Sequence, residues 1–95
     1  MIRLSPEAEA DLLSIVETIA GNSGTAVARR VYDRIKTALL PLDRFPLMAR
    51  AGRVAGTREL PVPGLPYIVV YEPEPDGVLV LSVIHGAMSL PPKGI

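Results

Sequence analysis

"GTRELPVPGLPYIVVY", residues 56–71, holds two incompatible-looking halves. "YIVVY" is rich in β-branched and aromatic residues and reads as a buried strand. The half before it carries Pro61, Pro63 and Pro66. Successive backbone N–H groups of a strand point to opposite lateral sides, so Pro61 and Pro63, two apart, lack donors on the same side. A central strand does not accept that, whereas an edge strand with its deficient side toward solvent does. Residues 57–62 are therefore expected to form an edge strand whose later part peels away, protected by its prolines from pairing with stray chains. Pro63-Gly64 and Pro66 then turn the chain into the core strand.

Outward from this stretch, three strand-like runs follow one another at 57–62, 66–72 and 78–84. Asp76-Gly77 supplies hairpin chemistry between the last two. "VLVLSVI", residues 78–84, is nearly continuous in apolar residues and should be the most buried strand. Upstream lie two helical patterns. Ser5 and Pro6 suit the cap and first turn of a helix, with Glu7, Glu9 and Asp11 near its positive end. Ala8, Leu12, Ile15, Val16 and Ile19 form its apolar stripe, and Gly21-Asn22 is expected to end it. A second helix runs through "NSGTAVARRVYDRIKTALLPLDRFP", residues 22–46, with Pro41 imposing a kink or pause near Leu40. The short connection makes an antiparallel helix hairpin. Residues 46–55 read as a basic loop and residues 1–5 as a brief strand. The expected fold is α+β: a short N-terminal strand and a helix hairpin packed on a three- to four-stranded antiparallel sheet.

Composition narrows the function classes. Ninety-five residues make one domain, 1–95, with a loose tail from about residue 86. With glycine counted in place of tyrosine, about 54% of the chain is apolar, against roughly 45–50% in soluble domains, which favours an exposed apolar surface that takes a partner. There is no cysteine, which excludes disulfides and thiolate zinc and suits a reducing, cytoplasmic setting. No metal-ligand spacing appears around the lone His85, and no cofactor is expected. No signal peptide or membrane-length apolar run is visible. Net charge is zero but unevenly placed. Residues 29–58 hold eight basic residues against two acids, a net of +6, and the remainder carries −6. Such a segment suits a polyanion or an acidic partner segment, or else a solvated helix face plus a polar loop.

"RLSPEAEADL" at 3–12, "ARRVYDRI" at 28–35, "FPLMARAGRVAGTRELPVPGLPYIVVY" at 45–71 and "VIHGA" at 83–87 together resemble the ParE/RelE superfamily of toxins from type II toxin–antitoxin modules, closer to ParE. The resemblance implies the same α+β fold. It implies a toxin that inhibits DNA gyrase by binding and is neutralised by an adjacently encoded, ParD-like antitoxin with a ribbon-helix-helix N-terminus. That antitoxin, rather than this chain, would bind DNA. Two alternatives stay open: a RelE-like ribosome-dependent mRNA endonuclease, and a degenerate toxin that only binds its antitoxin. RNA cleavage needs a base, an acid and cations on the scissile phosphate. Arg58 and His85 would be the catalytic pair, with Tyr67 and Tyr71 in reserve. Relatives commonly place arginines where this chain has Ser82 and Met88, so two phosphate-gripping cations are missing, and contact is favoured over catalysis. The residues assigned to target or partner contact are Arg50, Arg53, Arg58, Tyr71, His85 and Met88. The plainer readings are a surface ion pair for Arg58, strand packing for Tyr67 and Tyr71, and a hydrogen-bonded core position for His85.

Overall fold

The computed structural model describes residues 1–86; Met88 and the rest of the tail lie outside the described residues. Eight elements follow one another: β1 (Ile2–Leu4), α1 (Pro6–Ser23), α2 (Thr25–Leu39), a 3₁₀ turn (Leu40–Asp43), β2 (Arg50–Ala51), β3 (Arg58–Pro61), β4 (Tyr67–Glu74) and β5 (Gly77–His85). The strands form one sheet in the order β1-β5-β4-β3-β2. The α+β class holds, but the sheet has five strands rather than three or four, and it is mixed. β1 runs parallel to β5, while the other neighbours are antiparallel. The difference arises because the helix hairpin carries the chain away from β1, and the meander then returns its last strand, β5, alongside β1 in the same direction. Insertion between β1 and β4 makes β5 the interior strand, as its apolar run requires.

Helix α1 starts where Ser5 caps it, the Ala8 N–H donating to Ser5 Oγ at 3.0 Å. It continues past Gly21-Asn22 to Ser23 and stops at Gly24, whose φ of +91° a residue with a Cβ would adopt only under strain. The second helix accordingly begins at Thr25 rather than residue 22, and the loop between the helices shrinks to one residue. Pro41 does more than kink the second helix: α2 stops at Leu39, short of the expected residue 46, and the chain passes into a 3₁₀ turn over Leu40–Asp43 because proline cannot continue the helical hydrogen-bond ladder. Ala8 and Leu12 of α1 join Ile35 and Leu39 of α2 and Leu42 of the turn in a core against Val69, Tyr71, Val78, Val80 and Val83 of the sheet. Val78, Val80 and Val83 do not alternate strictly. A bulge between Val70 and Tyr71 of β4 skips Leu81 of β5, so the inward face shifts by one residue.

The edge is built largely as the prolines require. The Val62 N–H donates to the Tyr67 carbonyl at 2.9 Å, which places the ring nitrogens of Pro61 and Pro63 on the outer side of β3. The correction is that Arg58 and Glu59 are not at the edge. The basic loop contains β2, and its two residues pair with them, so β3 is outermost only from Leu60 onward. At the opposite edge, β1 covers β5 only as far as Val80. Beyond it Ser5 Oγ donates to the Leu81 carbonyl at 3.1 Å, and the Val83 N–H donates to Asp11 Oδ2 at 2.9 Å. Helix α1 thus serves the strand where β1 ends.

Candidate functional site

The β3–β4 register sets Arg58 directly across from Tyr71. Both side chains reach over the same end of the sheet to the segment after the 3₁₀ turn. Arg58 Nη1 donates to the Ala49 carbonyl at 2.7 Å and the Leu47 carbonyl at 3.2 Å. The Tyr71 hydroxyl donates to the Pro46 carbonyl at 2.8 Å. Met48 N–H closes a turn onto the Phe45 carbonyl at 3.1 Å. Four carbonyls within five residues are therefore held, and the Ala49 side chain is buried beneath them. Burial pushes the Tyr71 phenol above its ordinary pKa, with a backbone hydrogen bond from Ala49 and the Arg58 charge pulling it partly back.

Arg50 and Arg53 converge on Glu59, a carboxylate only 5% exposed. Arg50 Nη2 lies 3.4 Å and Arg53 Nε 3.5 Å from its oxygens, and the Arg53 backbone N–H donates to Oε2 at 3.1 Å. A buried carboxylate without such partners would be costly, so this cluster is first of all structural. Both guanidiniums still reach solvent, with side chains 61% and 40% exposed.

His85 ends β5 opposite Tyr67, their rings edge-to-face at 5.6 Å. It is exposed rather than a core histidine. Arg58 and His85 sit on opposite sides of β4, and their partners in it, Tyr71 and Tyr67, are four residues apart. At about 3.3 Å per residue that is roughly 13 Å along the strand. The arginine points away, into the 47–49 carbonyls, so the two candidate nuclease residues do not converge on one point. Tyr71, read from sequence as a contact, is fully buried, and its hydroxyl is spent on the Pro46 carbonyl. Ser82 is half-buried across from Val70, and Met88 lies outside the described residues.

The +6 segment is less free than its count implies. Arg29 pairs with Asp33 at 3.4 Å and Arg34 Nη2 donates to the Pro63 carbonyl at 2.9 Å, so both join Arg50, Arg53 and Arg58 in holding internal partners. No group of three or more His, Cys, Asp or Glu could hold a metal among the described residues, and no helix there is long and apolar enough to cross a membrane.

Two apolar surfaces accompany these residues. One is a groove of about 450 Å³ between α1, α2 and β1, lined by Ile2, Leu4, Leu12, Leu13 and Val16 together with Tyr32 and the charged Glu9 and Lys36. The other is formed by Phe45, Pro46, Leu47 and Met48. The sequence reading missed Asp11 and Glu59, whose roles depend on where helix and loop fold over the strands. It also passed over Phe45, Leu47 and Met48, although "FPLM" is an apolar run where the expected second helix gives way to the basic loop.

Residues 2–90 match the sequence profile of the ParE toxin of the type II toxin–antitoxin system parDE. The chain belongs to the ParE toxin family. A curated relative is Y4kP, a toxin candidate of Sinorhizobium fredii (strain NBRC 101917 / NGR234), 41% identical over 64 residues. That match covers 67% of this chain and spans 66% of the relative's length. Among solved structures, a chain of the chromosomal ParDE toxin–antitoxin system from P. aeruginosa superposes with a TM-score of 0.81. It covers 88% of this chain and 92% of its own length at 20% identity, a likeness of fold. The ParE fold thus explains the two-helix hairpin and the mixed sheet together.

Proposed function

We propose that this ParE-family chain inhibits DNA gyrase by binding it, without catalysis of its own, and is neutralised by a ParD-like antitoxin encoded beside it. The observation that carries the reading is the engagement of Arg58. Its guanidinium is bound to two backbone carbonyls, and His85 is displaced from it along the sheet. RNA cleavage requires cations and a proton-transfer pair around one phosphate. This chain instead offers a rigid, partly apolar, partly cationic surface, which suits protein contact. Solvent-facing Arg50, Arg53 and His85 are the residues we assign to the target, with Arg58 and Tyr71 shaping the surface from beneath; Met88 belongs to the same assignment from the sequence pattern.

The antitoxin reading is supported by the α1–α2–β1 groove. Leu13 is 58% exposed at its rim, and an amphipathic helix laid there would cover it together with Val16 and Ile2. In the test, the purified protein is added to gyrase and relaxed plasmid. Loss of supercoiling, or trapping of gyrase–DNA breaks, relieved by the adjacent gene's product, is expected. Unchanged supercoiling at saturating dose, with codon-linked cuts in a translated mRNA, would replace the reading with a RelE-like one.

A further inference from the structure

The segment after the 3₁₀ turn has an unusual combination of fixed backbone and exposed apolar side chains. Phe45 and Leu47 are 60% and 61% exposed, yet the carbonyls of residues 45, 46, 47 and 49 are all held by Met48 N–H, Tyr71 or Arg58. The Phe45 N–H is also tied down, donating to the Pro41 carbonyl at 2.9 Å. Phe45, Pro46, Leu47 and Met48 line a shallow depression of about 480 Å³ with no polar residue among them. A loop that exposed these side chains for want of packing would have no reason to be anchored so heavily. A binding surface gains from it, because a fixed backbone lowers the entropy lost on association.

The charge left over around the depression is positive. Arg44 and Arg50 flank it in sequence, and Arg58 lies beneath it. The nearby acids are already engaged. Asp43 meets the Met1 ammonium, and Glu59 is buried between Arg50 and Arg53. Arg44 has no ion-pair partner among the described residues. We propose that this depression is a docking site for an acidic segment of another protein, carrying two or three apolar anchors flanked by Asp or Glu. It is separate from the groove assigned above to the antitoxin helix; it adjoins the surface assigned above to the target, and its test uses neither gyrase nor the antitoxin, so either reading can fail alone. A second copy of this chain fits poorly, because a two-fold contact would set the same guanidiniums against one another. A single short loop also offers little apolar area to a bilayer, whereas a concave pinned surface matches discrete anchors.

A phage-displayed random peptide library selected on the full chain, with no counter-selection, tests this directly. The expected survivors carry net negative charge and at least two large apolar residues. Synthesised, they bind the wild type, weaken about tenfold on Leu47→Ser or Met48→Ser, and weaken about fivefold on Arg44→Glu. All three changes are at exposed positions, and unchanged urea midpoints confirm that the variants fold. Arg50 is left intact because it also serves Glu59. The proposal is overturned if no peptide is enriched, if the survivors are neutral or basic, or if they bind Leu47→Ser equally well. It is likewise overturned if the protein binds phosphatidylglycerol vesicles through this loop but no peptide, or if Leu47→Ser abolishes a self-association seen by sedimentation.

Discussion

Removing the Arg58 guanidinium separates a structural clamp from a free cation. Arg58→Ala deletes one hydrogen bond at 2.7 Å and a longer one at 3.2 Å, both from a charged donor to a carbonyl. Such bonds contribute about 1.5–3 kcal/mol each where they are well formed, and less where the freed acceptor can turn to water. The residue is only half-buried, so we count the short bond fully and the long one little, and predict a loss of about 2 kcal/mol. With a urea slope of roughly 1–3 kcal/mol/M, the midpoint should fall by about 1 M. In thermal melts the corresponding drop is roughly 8–16 °C for a domain of this size. Tyr71→Phe removes a neutral bond to the same segment and should cost about 1 kcal/mol. Because the two side chains hold adjacent carbonyls, the double variant should cost less than the sum by about 0.5 kcal/mol or more. Urea titrations followed by circular dichroism measure all three. A midpoint shift below about 0.3 M for Arg58→Ala, or strict additivity in the double variant, would refute the clamp and return Arg58 to the pool of free contact cations.

Other outcomes follow from neighbouring features. Tyr71 titrates above 10.0 when folded, so its contribution is complete below pH 10 and is lost as pH rises through the folded value; the stability gap between wild type and Tyr71→Phe should narrow across alkaline urea titrations. Glu59→Ala should cost about 2–3 kcal/mol by leaving Arg50 and Arg53 without their shared carboxylate, and hydrogen exchange should speed up in residues 50–57. A Cβ on Gly77, at φ +143°, would lie 2.0 Å from the Met1 carbonyl oxygen, so Gly77→Ala should lower stability by more than about 2 kcal/mol in a thermal melt. Restoring donors with Pro61→Val and Pro63→Val should leave the stability within about 0.5 kcal/mol of wild type, yet raise the aggregation rate measured by light scattering.

Much of the fold was legible because local chemistry and global pattern agree. Ser5 and Pro6 mark the start of a helix whether or not anything packs on it, and Pro61 and Pro63 constrain the lateral side of a strand by missing hydrogen alone. What escaped was non-local. Nothing near Ile2–Leu4 tells that its partner is Val78–Val80, in parallel, and a two-residue strand at Arg50–Ala51 carries no periodicity. Gly21 passed for a helix end because glycine is a weak breaker in an interior, and the stronger demand for positive φ fell three residues later. Of the site, the residue types were found but not their commitments. Arg50, Arg53 and Arg58 were visible as cations, whereas the carboxylate and carbonyls that occupy them depend on the loop folding back.

The pairing of β1 with β5 also sets a schedule. The Val78 N–H donates to the Met1 carbonyl at 3.1 Å, so the first strand waits for a partner made more than seventy residues later. During synthesis at roughly 5–20 residues per second, the helix hairpin can form within seconds of emerging, but β1 is not joined to the rest of the sheet until β5 has left the ribosome. Until then the β2–β3–β4 ribbon that sets Arg58 and Tyr71 beneath the 45–49 segment has no β5 against its other side. The surface that would engage a partner is therefore complete in sequence by residue 71 but gains its full support only when β5 docks on β4.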